Sequence, residues 1–235
     1  MNQIITQHGW GFDSRIWFNF RTQFNKKEWL WLDNDRGYFQ KNSKSFKWQK
    51  ESCKRDIKMA ICHSLGTHLI ERKTLLKATH IILINSFYNF LPVSQQRRKF
   101  TIKALNRMRN KLKNDEYKSM LEEFIKRSYL PRSCKPKITG SIDFDLKSIN
   151  RSILIQDFDK LFITNKPKKL FSDRVNLLII KSGKDMILDK ESANNYIKML
   201  MDTKLGSMNI IELENEGHLI DEINLFDIVH SWLKE

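Results

Sequence analysis

A chain of 235 residues with 40% apolar side chains has the length of one domain and enough hydrophobic material to bury a sizeable core. No apolar run approaches the ~20 residues that a membrane-spanning helix needs, and the start MNQIITQHGWG has no basic stretch followed by an apolar one. A soluble cytoplasmic protein without membrane association is expected. Lys and Arg outnumber Asp and Glu by 42 to 27, for a formal charge of +15. That excess suits an acidic partner, and equally a surface drifting toward Lys and Asn. Cys53, Cys62 and Cys134 form no CxxC pair and accompany no histidine cluster, which argues against a disulfide framework and a zinc site. Zinc-finger spacing, a recognition-helix motif and an aromatic RNA-binding signature are all lacking, so nucleic acid is not an expected partner.

Short apolar runs at 4–5, 29–32, 59–62, 81–84, 177–180 and 210–213 read as buried strands. Helical spacing falls between them at about 14–26, 65–77, 190–202 and 220–234. Strand alternating with helix predicts a parallel sheet of about six strands covered on both faces, with functional loops at the carboxyl ends of the strands. Residues 87–173 break the rhythm. They are rich in charge and carry helical segments with basic faces, QQRRKFTIKALNRMRNKLK and DEYKSMLEEFIKRSYLPRS. This predicts one domain with a core of 1–86 and 174–235 and a helical cap inserted between two core strands, because a structureless loop of that length is improbable.

Four motifs follow predicted strands. His8-Gly9-Trp10-Gly11 comes first: two glycines around one residue let a backbone amide, that of Trp10, turn toward a neighbouring site. In ICHSLGTHL (61–69) Ser64 falls on a strand-to-helix turn, where the hydroxyl is exposed and the amide of Leu65 faces any oxyanion formed nearby. The usual pattern is GxSxG, and Cys62 stands at its first glycine. A serine at a helix start also serves simply as a cap. In KSGKDMIL (181–188) Asp185 can orient a histidine ring. It is preferred over Asp157 and Asp159, which do not follow a strand. In NEGHLIDE (215–222) His218 occupies the loop between the last strand and the last helix, where an imidazole reaches over the strand ends. His63, His68, His80 and His230 have structural explanations. The order serine, aspartate, histidine is that of the α/β-hydrolases, distinct from the chymotrypsin and subtilisin orders.

On these residues the chain resembles the α/β-hydrolase superfamily over nearly its whole length. Within it, the HGWG loop, the compact core, the cap position and the segment DEYKSMLEEFIKRSYL (115–130) are similar to BioH-type pimeloyl-[acyl-carrier protein] methyl ester esterases of biotin synthesis. The resemblance implies a serine esterase needing no cofactor, with Ser64, Asp185 and His218 as its triad and the amides of Trp10 and Leu65 as its oxyanion hole. It implies that Phe124 faces the acyl chain. It also implies an acidic acyl carrier protein as partner, met by Arg97, Arg98, Lys103, Arg107, Arg109, Lys118, Lys126 and Arg127; a monomer is expected. The chain departs from the pattern at Cys62, at Thr67 in place of a second glycine, and at Ser119 and Glu123 where partner-binding arginines are usual. One or two leading strands are also expected to be missing. The alternatives are a thioesterase or short-chain carboxylesterase of the same fold, or a hydrolase-like binding protein without activity.

Overall fold

The structure, a computed structural model, describes residues 1–25, 29–39, 42–50, 56–132, 148–164, 169–220 and 222–234. Its strands are β1 (Gln3–Gln7), β2 (Leu30–Asn34), β3 (Lys58–His63), β4 (His80–Ile84), β5 (Asn176–Ser182) and β6 (Ser207–Leu213). They form one six-stranded parallel sheet in the order β2-β1-β3-β4-β5-β6. Side chains alternate across a strand, so each apolar run feeds both faces. Ile4, Met59, Ile61, Ile82, Ile84, Leu178 and Ile180 enter one core cluster. Ile5, Ala60, Cys62, Ile81, Leu83, Leu177 and Ile179 enter the other. This explains why the runs are continuous rather than alternating.

Helix α1 (Phe18–Asn25) and, near the end of the chain, α8 (Glu222–Trp232) pack together on the first face. Helices α3 (Arg72–Lys77) and α7 (Lys190–Met201) cover the second. The helix expected over 14–26 begins as a 3-10 turn, Ser14–Trp17, with Asp13 accepting a hydrogen bond from the Arg15 amide at its start. The helix expected over 65–77 is two short ones, α2 (Gly66–Leu69) and α3. Ile70 between them is extended and buried, so that its side chain packs under the sheet instead of following a helical stripe.

The connection from β4 to β5 carries α4 (Gln95–Lys113), α5 (Tyr117–Tyr129) and α6 (Arg151–Phe158). Their apolar faces join the first core cluster through Leu105, Leu112, Leu121, Phe124, Leu154 and Phe158. Residues 133–147 and 165–168 of the expected insertion lie outside the described residues, as do Cys53 and Cys134. No helix among the described residues is long and apolar enough to cross a membrane.

Topology places the site. The chain leaves β1 toward β2 on one side and returns to β3 on the other, so the loops after β1 and β3 diverge and open a crevice at their carboxyl ends. HGWG follows β1, and Ser64 follows β3.

Candidate active site

The elbow is built by backbone first. The Ser64 N–H continues the β3–β4 ladder by donating to the Ile84 carbonyl at 2.9 Å, and the chain then turns sharply with Ser64 at φ +54°. A non-glycine residue there costs on the order of 1–3 kcal/mol, a strain typical of residues that must present a side chain in one direction. Cys62 does not obstruct the turn, because its side chain points into the second core cluster, where burial pushes its thiol up to about 12. The small residue that the turn needs is instead Gly9 of the facing loop: a Cβ on it would lie 2.9 Å from Ser64 Cβ and 3.0 Å from His63 Nδ1.

His218 reaches the elbow from the loop after β6. Its Nε2 lies 2.9 Å from Ser64 Oγ and its Nδ1 lies 2.7 Å from Asp185 Oδ2. Asp185, in the loop after β5, takes hydrogen bonds on its other oxygen from the amides of Ile187 (2.8 Å) and Leu188 (2.9 Å). Burial pushes this carboxyl up, yet His218 and the two amides hold it below the usual carboxylate range. It is therefore ionised at neutral pH and keeps the His218 proton on Nδ1, leaving Nε2 to accept from the serine. The three residues inferred from separate loops are thus joined in one relay, although 154 positions separate Ser64 from His218.

The two loops are tied to each other: the Gly183 amide donates to the Leu213 carbonyl at 2.9 Å and the Lys184 amide to the Glu216 carbonyl at 3.0 Å. The histidine loop is also tied to α5. The Leu219 amide donates to the Ser128 carbonyl at 2.9 Å, Arg132 donates to the Leu219 carbonyl, and a Cβ on Gly217 would overlap the Leu130 carbonyl oxygen at 1.9 Å. Glycine at 217 is what lets the histidine loop lie against that helix end.

Trp10 and Leu65 stand where the motifs predict, on the loop after β1 and directly after Ser64. Among the described residues neither backbone N–H is used in a hydrogen bond. Helix α2 is only four residues long, so the donor offered at the elbow is the Leu65 amide itself, with little from an aligned helix. The Trp10 indole is fastened away from the site, donating to the Leu154 carbonyl at 2.8 Å. His8 anchors the same loop: its Nε2 accepts the Arg36 amide at 3.0 Å, which leaves Nδ1 to donate to the Gly9 carbonyl at 2.8 Å.

Phe124 lies against this loop. Its ring meets Trp10 edge-on at 4.9 Å and Phe12 at 5.7 Å. The basic residues divide into two groups. Arg97 pairs with Asp189 (3.2 Å), Arg98 donates to Thr164 (2.9 Å), and Arg109 makes a two-pronged pair with Asp159 (2.7 and 2.8 Å). Lys103, Arg107, Lys118, Lys126 and Arg127 are exposed. Lys118 sits 5.8 Å over the Tyr117 ring.

Asp157, the rejected alternative acid, is fully buried elsewhere. It collects both prongs of Arg36 (2.7 and 3.1 Å), the Tyr38 hydroxyl (2.8 Å) and Lys160. The other histidines have structural partners: His68 bonds to the Phe87 carbonyl, His80 to Asn176, and His230 stacks on Phe226. His63 and Asn85 both contact the histidine loop, and the motif reading passed over that role for each. A signal for Asn85 exists in retrospect, since it ends a strand and asparagine is enriched at positive φ, here +44°.

No protein-family model matches the chain, and no curated protein sequence matches it. Solved structures do. An esterase from Exiguobacterium antarcticum superposes with a TM-score of 0.70 at 17% identity, covering 100% of this chain and 92% of that one. A bromoperoxidase from Bacillus anthracis gives 0.71 at 14%, and an enol-lactonase from Burkholderia xenovorans LB400 gives 0.68 at 12%, with the same two coverages. The chain has the α/β-hydrolase fold.

Proposed function

We propose that this chain is a serine carboxylesterase whose triad is Ser64, His218 and Asp185, acting on a methyl ester carried by an acyl carrier protein. The observation that carries the reaction type is the continuous relay from Asp185 through His218 to Ser64, at 2.7 and 2.9 Å. His218 Nε2 takes the proton from Ser64 Oγ as Oγ attacks the ester carbonyl carbon, and the electron pair displaced onto oxygen is held by the amides of Trp10 and Leu65. Collapse breaks the bond to the methoxy oxygen, which takes the proton from His218 and leaves as methanol. Water then gives a proton to His218 and attacks the acyl carbon. Ser64 Oγ departs with that proton, and the acid remains on its carrier. Asp185 stabilises the imidazolium in both halves.

The narrower substrate is pimeloyl-[acyl-carrier protein] methyl ester, in biotin synthesis. Its support is the HGWG loop and the charge of the cap: α4 carries eight basic residues and no acidic one in 19 positions. A small acidic carrier would be steered by such a helix, with Phe124 near the acyl chain. A thioesterase or a short-chain carboxylesterase is the second reading, because a triad does not specify its leaving group, and the structural neighbours include an esterase and an enol-lactonase.

The test is turnover of the pimeloyl-carrier methyl ester beside the matching thioester and a small soluble ester. Preference for the methyl ester, with growth rescue of a biotin-requiring strain lacking its own esterase and loss of rescue in Ser64→Ala, upholds the reading. Faster thioester turnover would move the chain to the second one. A folded chain that a fluorophosphonate does not label at Ser64 is no hydrolase of this kind.

A further inference from the structure

His218 lies in a loop without regular structure, so no strand ladder or helix fixes its backbone. Triad chemistry nevertheless tolerates little drift, and a displacement near 1 Å can cost ~10²-fold in rate. The loop neighbours of His218 are tied to α5 and to the loop after β5, and His218 itself is held by two side chains that converge on one atom. The His218 carbonyl oxygen accepts from Asn85 Nδ2 at 2.8 Å and from His63 Nε2 at 2.9 Å. Both donors stand at strand ends, His63 closing β3 immediately before Ser64 and Asn85 following β4. We propose that His63 and Asn85 are positioning residues that clamp the His218 backbone and so hold its imidazole on Ser64. This rests on the serine-hydrolase reading above.

The donor assignments follow from the partners. A carbonyl can only accept, so His63 must carry its proton on Nε2. Its Nδ1 is then a bare acceptor, and it has no hydrogen-bond partner among the described residues. The ring is also kept neutral: burial, and then the neighbouring His218, push it down to about 3. That matters because the two rings are 4.9 Å apart, and a charged His63 would oppose the imidazolium that His218 must form. Asn85 is oriented independently. The Ser182 amide donates to its Oδ1 at 2.8 Å, which forces the NH₂ toward Ser182 Oγ (2.8 Å), the Gly217 carbonyl (3.3 Å) and the His218 carbonyl. Its own amide extends the sheet by donating to the Ile180 carbonyl at 2.9 Å. One residue thereby links the sheet, the strand leading to Asp185 and the loop of His218. His63 links that same loop to the nucleophile. Asparagine also tolerates the left-handed backbone at this position, which few other side chains with an amide donor do.

The experiment uses the full chain with two readouts: kcat and KM on a small soluble p-nitrophenyl ester, and the rate of Ser64 labelling by a fluorophosphonate. The variants are His63→Phe, His63→Gln, Asn85→Gly and the His63→Phe/Asn85→Gly double. His63→Phe and Asn85→Gly each lower kcat and the labelling rate about tenfold with KM unchanged, and the double loses more than the product of the two. His63→Gln, which returns an amide donor near the lost Nε2, recovers most of the rate. Urea melts confirm that each variant is folded. Should Asn85→Gly not fold, the isosteric Asn85→Asp, which keeps the Ser182 bond and removes the donor, replaces it. Labelling of the folded single and double variants within twofold of the native rate overturns the clamp, as does a Gln variant no better than Phe. Absence of labelling in the native chain would instead overturn the hydrolase assignment.

Discussion

Two buried aspartates, Asp157 and Asp185, have similar surroundings but different partners. Asp157 and Asp185 are both pushed up by burial, and both are held below the usual carboxylate range by their hydrogen-bond partners. Asp157 spends its oxygens on Arg36, Lys160 and Tyr38, and both the Arg36 guanidinium and the buried Tyr38 hydroxyl are pushed up from their ordinary values, so neither changes charge near neutral pH. It ties the segment after β2 to α6. Asp185 spends one oxygen on two backbone amides and the other on His218, whose second nitrogen reaches a hydroxyl. Burial and ionisation are common to both sites. What distinguishes the second is a histidine partner whose other ring nitrogen faces a serine hydroxyl.

The largest effects belong to the relay. Ser64→Ala lowers kcat on any ester by about 10⁴-fold or more, and Asp185→Asn by about 10⁴-fold because the His218 tautomer is no longer imposed. Steady-state kinetics on folded protein check both, and retention of more than a tenth of the native rate by either would break the distinction drawn above. Asp157→Asn works the other way. It leaves the half-buried Arg36 and Lys160 without their carboxylate and destabilises the chain by about 1–3 kcal/mol in urea melts, with kcat changed no more than about threefold below the transition. A kcat loss as large as that of Asp185→Asn would show that the cluster takes part in catalysis.

A third effect separates the two sites from the neutral histidine beside them. The His63 ring ionises near 6.5 when unfolded and only near 3 when folded, so its contribution to stability is whole above about pH 6.5. It is lost at up to about 1.4 kcal/mol per unit as the pH falls. Half-buried His68 and His80 are shifted the same way and share that limb. The aspartates have lowered folded values, so their contribution persists to about pH 4 and is lost only below it. Urea midpoints measured against pH therefore flatten between about 6.5 and 4 in His63→Gln and below about 4 in Asp157→Asn. The smallest effect is expected at the surface. Lys103→Glu with Arg107→Glu raises KM for a carrier-bound ester severalfold at low salt and leaves a small ester unaffected, whereas an equal loss on both substrates would remove the carrier from the picture.

Much of the candidate site was legible because each piece is written locally. An apolar run of strand length followed at once by a glycine and a polar side chain, in either order, is a pattern carried by a few neighbouring residues, and it recurs at His8, Ser64, Asp185 and His218. The helix breaks were less legible. Ile70 is apolar at a helical spacing, and only the pull of the second core cluster turns it out of the helix. Charge was least legible. Arg97 and Arg109 look alike in sequence to Lys103 and Arg107, yet the first two are engaged by Asp189 and Asp159, tens of residues away.

The sequence by itself determined the strand content, the parallel sheet and the order of serine, aspartate and histidine, because period, turn chemistry and chain order are short-range properties. Only the tertiary structure decided that those three side chains meet, that Asp185 and not Asp157 is the partner of His218, and that His63 and Asn85 share its carbonyl. Each of these depends on which strands are neighbours in the sheet, and hydrogen bonds between residues more than a hundred positions apart follow from that packing.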